Sequence, residues 1–212
     1  MKLSTIRRVL LLLVTLACGL HAPAQTRADQ RLGELLNGGD LFRLREEYPQ
    51  LKDSLSIDML DLLARSQLGI AFNRPEEAAP ALDSLLLLHQ DALGAQSTLS
   101  MAALRAMNLL NLGMYAQAGA AGGDLVRALE GSLPFESYFG LVFVERIGKA
   151  LADVPAPSLE RPDRTVTVPL KYEAVGRGHH YYMPVEVNGH MHDFIFDTGC
   201  PFGCFVSESY AE

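Results

Sequence analysis

Between residues 153 and 165 the spacing of apolar side chains changes from three-and-four to two, and that change restricts the chain to two differently built parts. Upstream, over residues 27–152, the three-and-four spacing places apolar side chains along one stripe of a helix. Downstream, Thr165-Val166-Thr167-Val168-Pro169-Leu170-Lys171-Tyr172 alternates as a half-buried strand does. Val154-Pro155-Ala156-Pro157 stands between them; proline lacks an N–H and disfavours helix in the residue before it, so the helical pattern stops there. Arg161-Pro162-Asp163-Arg164 prolongs the break. The expected layout is α+β: antiparallel helical hairpins over 25–153, a linker over 154–164, and a β-rich part over 165–212.

Within the helical part the breaks carry turn chemistry. Asp40, after Gly38-Gly39, is the expected cap of a helix over Leu41 to Tyr48. Ser56 is the expected cap of the next, with Ile57, Leu60, Leu63 and Ala64 on one face, and Asn73-Arg74-Pro75-Glu76 reads as a capping box opening a helix through Leu88. Thr98 or Ser100 is expected to open another that ends at Leu112-Gly113. A further helix begins at Tyr115 and buries Ala118, Leu125, Val126 and Leu129, and its Gly119, Gly122 and Gly123 each weaken it by up to about 1 kcal/mol. Leu112-Gly113-Met114-Tyr115-Ala116-Gln117-Ala118 resembles the inter-helix turn of a tetratricopeptide repeat. A weaker echo lies in Leu68-Gly69 with Pro75 to Ala78. Ala78 and Ala118 are not one repeat period apart, so the segment reads as repeat-like.

In the β part Gly176-Arg177-Gly178 turns the chain into a strand over Tyr181 to Val187. Asn188-Gly189 then makes a two-residue hairpin, because both residues tolerate the positive φ of a type I′ turn. That register sets Val187 opposite His190 and Val185 opposite His192, leaving His180 near Asp197 at the other end. Seven steps at about 3.3 Å separate His179 and His180 from His190 and His192 by roughly 23 Å, which excludes a four-histidine metal site. His190 and His192 remain as a two-ligand pair or as solvated strand residues.

The chain opens with Lys2, Arg7 and Arg8, an apolar run from Val9 to Ala17, and Ala22-Pro23-Ala24, the order of a secretory signal peptide over residues 1–24. Cleavage after Ala24 is expected to give an exported protein, periplasmic or extracellular, with no membrane span. Cys18, just after the apolar run, offers the less favoured alternative of lipoprotein anchoring. Removing residues 1–24 leaves 15 basic side chains against 25 acidic ones, a surface unsuited to nucleic acid or anionic lipid. The other cysteines, Cys200 and Cys204, form no disulfide framework; a turn would let them pair and an extended strand would not.

The strand Phe194-Ile195-Phe196 runs into Asp197-Thr198-Gly199, and by alternation Asp197 projects away from the face shared by Phe194 and Phe196. The stretch from about Tyr181 to Ala211 resembles the retropepsin and pepsin family of aspartic proteases: strand, glycine-containing turn, apolar strand, Asp-Thr-Gly, then a return segment matched by Phe205-Val206-Ser207-Glu208. The resemblance implies a retropepsin-like all-β domain, peptide or protein substrates and no cofactor. It makes Asp197 one of two carboxylates that share a proton and activate a water. It makes Thr198 the hydroxyl that bonds across to the partner loop, and Gly199 the residue that permits the tight turn.

Two departures stand out. Cys200-Pro201 follows the triplet where the family has Ala or Ser, keeping a small side chain but losing the next N–H. Only one Asp-Thr-Gly is present, so the second aspartate is expected from a dimer mate or a further lobe. These residues are expected to be the opening portion of a longer, truncated protease, inactive by itself. The competing expectation is a non-catalytic exported binding module in which Asp197-Thr198-Gly199 only shapes a turn.

Overall fold

The structure, a computed structural model, describes residues 26–158, 160, 162–197, 206, 207 and 210. The expected signal peptide over residues 1–24, with Cys18, lies outside the described residues. The chain divides into two compact units between Ser158 and Leu159, a point within 154–164.

The first unit holds seven helices among its described residues: α1 Arg27–Gly38, α2 Leu41–Leu51, α3 Asp58–Ala71, α4 Pro75–Leu88, α5 Gln90–Asn111, α6 Tyr115–Leu129 and α7 Phe135–Ala150. Each packs on its successor across a short connection, so the chain doubles back repeatedly as helical hairpins. One apolar cluster joins α1 to α5, with Leu32, Leu44, Leu63, Leu82 and Leu85 fully or almost fully buried. A smaller one, built on Ala106, Leu109, Ala118 and Val144, joins α5 to α7.

Asp40 caps α2 as expected, its side chain accepting from Arg43 N–H at 3.0 Å. Ser56 does not cap α3. Its hydroxyl and N–H instead donate to Asp29 at 2.5 and 2.9 Å, and Ile57 occupies the cap position. Asp29 is almost wholly buried and, with Thr26, forms a reciprocal capping box at the start of α1, so one carboxylate ties that start to the α2–α3 connection. A second tie between the first two helices is Arg31, whose guanidinium grips Glu47 with two bonds of 2.7 Å.

Asn73 likewise caps no helix: it sits at φ +52, closing the turn after α3, while α4 opens on Arg74 without a side-chain cap. Within α5, Gly94 at φ +72 and ψ 166 is not helical and separates a short stretch from Gln90 from the main helix, which resumes just after Gly94, before the expected Thr98. In α6 the expected buried positions are shared differently. Ala118 is buried, Leu125, Val126 and Leu129 are half-buried, and Gly119, Gly122 and Gly123 are buried. The glycines are the contact: a Cβ on Gly148 of α7 would collide with the Gly119 backbone, and one on Gly122 would lie 2.9 Å from Glu145 N. Their propensity cost is offset by the close approach of α6 and α7.

The second unit is a three-stranded antiparallel sheet in the order β1 Lys171–Val175, β2 Gly178–Val187, β3 His190–Ile195. The first strand starts at Lys171; residues 165–170 carry the alternation but pair with nothing in the sheet. Asn188 at φ +51 and Gly189 at φ +82 form the expected two-residue turn. Val187 pairs with His190 and Val185 with His192, the register read from the turn.

Candidate active site

Asp197 is positioned by β3. Lys171, Tyr182 and Ile195 form one rung across the three strands, and Phe196 N–H donates to Tyr181 C=O at 2.7 Å, carrying the ladder one residue past β3. Continuing that register one step beyond Phe196 sets His180 as the position opposite Asp197. Asp197 is solvent-exposed and takes part in the local network of contacts. Phe194 is half-buried and Phe196 is 45% exposed, so the apolar face leading into the triplet is covered only in part.

What covers it comes from beyond the triplet. The Tyr210 ring stands edge-on to His192 at 4.8 Å and to Phe194 at 5.8 Å, so the chain folds back onto the β3 face that alternates away from Asp197. The return is not a strand at its described residues: Val206 and Ser207 are irregular, and Tyr210 N–H bonds Ser207 C=O at 3.0 Å in a local turn. Thr198, Gly199, Cys200 and Cys204 lie outside the described residues.

The other polar groups of the sheet are arranged for pairing. Lys171 of β1 reaches across to Asp193 of β3, and that carboxylate, with its Coulombic pull, raises the lysine's proton affinity. Tyr172 stacks on His179 at 4.7 Å and leans on Tyr181 at 5.3 Å. His192 is occupied by Tyr210, and among the described residues no group of three or more His, Cys, Asp or Glu side chains could hold a metal ion. An exposed carboxylate at the end of a paired apolar strand can accept a proton from water.

The helical unit carries a feature that the sequence reading passes over. Arg45, Arg65 and Arg74, far apart in sequence, line one groove with Tyr48, Leu68 and Phe72. Their separation left no motif to read. Comparison with protein-family models, with curated proteins and with solved structures found no match.

Among the described residues no helix is long and apolar enough to cross a membrane.

Proposed function

We propose that this chain contributes one aspartate to an aspartic-type endopeptidase, in a retropepsin-like β-domain that follows a tetratricopeptide-like helical unit on an exported protein. The observation that carries the reading is the hairpin, whose register delivers Phe194-Ile195-Phe196 from β3 directly into Asp197 and the triplet it opens.

In this reading a second carboxylate, from another copy or another lobe, meets Asp197 at about 3 Å, where the two cannot both ionise and so share a proton. One takes a proton from the attacking water as its oxygen bonds to the scissile carbon, and the other donates to the carbonyl oxygen. Transfer of a proton to the leaving nitrogen then accompanies cleavage of the C–N bond. Thr198 holds the two loops together and Gly199 lets the backbone turn. The exposure of Asp197 suits a group that must meet a partner carboxylate.

Asp197→Asn keeps the side chain's shape and removes its proton chemistry. In the complete protein, peptide cleavage should fall on the order of a thousandfold, with the circular dichroism spectrum and melting temperature unchanged and with no effect of a metal chelator on the parent. Cleavage by the variant at close to the parental rate, or cleavage that a chelator abolishes, rejects the proposal.

A further inference from the structure

The groove in the helical unit encloses about 570 Å³ between the second half of α2, the second half of α3 and the start of α4. Its walls combine cation and apolar surface in an unusual way. The Arg45 guanidinium lies over the Phe72 ring at 4.1 Å from its centroid and 5.3 Å from that of Phe42, while the two rings meet edge-to-face at 5.5 Å. Stacking of this kind holds the planar cation in place without neutralising it. Arg65 faces Asp61 at only 3.7 Å, and Arg74 pairs with Glu77 at 3.0 Å on the rim. Asp61 is also engaged from the other side, accepting the Tyr48 hydroxyl at 2.5 Å, which fixes the Tyr48 wall.

The charges do not cancel. Asp61 and Glu77 answer two of the three arginines, and Arg45 makes no ion pair among the described residues. A chain of net charge −7 therefore collects an unneutralised cation in a concavity floored by buried Leu68 and half-buried Phe72.

We propose that this groove binds an acidic peptide segment, its carboxylate side chain bonding to Arg45 and a neighbouring apolar side chain resting on Leu68 and Phe72. A guanidinium fork matches a carboxylate with two parallel hydrogen bonds, and its prior stacking lowers the ordering cost of binding. The volume admits a few side chains, so the recognised unit is a short segment. The site is independent of Asp197 chemistry.

The test uses fluorescence anisotropy with the complete protein and a labelled hexapeptide, Glu-Asp-Phe-Glu-Leu-Asp, blocked at both ends so that no terminal carboxylate contributes. It should bind at least about tenfold more tightly than its Gln/Asn counterpart, and Arg45→Ala should remove about that factor, as should raising salt. Arg105→Ala, which breaks an exposed pair with Asp83 outside the groove, should change nothing. Circular dichroism checks that Arg45→Ala remains folded; Arg45 is an exposed residue outside the apolar core. Equal affinity for the two peptides, no binding at millimolar concentration, binding indifferent to Arg45→Ala, or equal competition by inorganic phosphate would each overturn the assignment.

Discussion

The helical unit and the sheet unit satisfy their apolar residues to very different degrees. Leu32, Leu44, Leu63, Leu82 and Leu85 are sealed between consecutive helices, whereas the best-covered sheet residues, among them Met183, Val185 and Phe194, are half-buried. Ile195, Met191, Tyr172 and Tyr181 are exposed. The difference follows from geometry. A helix presents one stripe and its hairpin neighbour can cover it, but a sheet presents two faces, and hydrogen bonding between strands covers neither. Three strands with one face touched by Tyr210 are near the lower limit of independent stability. The part that carries the candidate chemistry is thus the part held least by its own core.

Hydrogen exchange is the experiment with the largest expected effect. Amides across residues 56–130 should exchange about a thousandfold more slowly than those across 165–212, because helices sealed in a core open only with global unfolding while a partly covered sheet opens locally. Equal protection in both would break the comparison.

The packing of α6 on α7 should give the next largest effect. Gly148→Ala inserts a methyl where the Gly119 backbone already lies and should cost about 2–3 kcal/mol in chemical denaturation. Gly140→Ala, on the same helix but with nothing within 4 Å of its added methyl, should instead gain roughly 0.5–1 kcal/mol. If both variants lose stability equally, helix propensity and not close approach governs α7.

A smaller, pH-dependent effect belongs to Asp29. Burial pushes its carboxyl up, but bonds from the Ser56 side chain and N–H and from Thr26 more than offset this and hold it well below the ordinary carboxylate range. A group depressed in the folded state stabilises fully above its unfolded value of about 3.9 and loses that contribution as pH falls below it. Asp29→Asn should cost about 2 kcal/mol at neutral pH and flatten the fall in stability between about pH 4 and pH 2. An unchanged acid limb would mean that Asp29 does not link α1 to the α2–α3 connection.

Local chemistry was legible where neighbours in sequence decide it. Asp40 caps α2, Asn188-Gly189 sets the hairpin, and the turn length alone pairs Val187 with His190. The Thr26-to-Asp29 capping box was also written in the chain, as a hydroxyl residue followed three later by an acid, although residue reading passed over it. What was not legible depends on distant partners. Ser56 looks like a cap until Asp29, 27 residues earlier, takes its hydroxyl. Gly119 reads as a weakness until α7 is laid against it. The strand pattern from Thr165 to Leu170 is real as a pattern, but alternation specifies which face a residue takes, not whether another strand lies beside it. At the candidate site, the approach of β3 to Asp197 was legible. The covering of Phe194 by Tyr210 was not, because an aromatic ring thirteen residues past Asp197 carries no periodic signal of where it docks.

The central claim is that Asp197 acts as one of a proton-sharing pair, and the pH dependence of peptide cleavage by the complete protein tests it most directly. A coupled carboxyl pair is active with one proton between the two groups. The rate should therefore rise and fall in a bell on the acidic side of neutrality, its limbs belonging to the pair and its amplitude vanishing in Asp197→Asn. A rate that climbs steadily through neutrality, or a bell that survives unchanged in Asp197→Asn, would contradict the account and leave Asp197 as part of a turn.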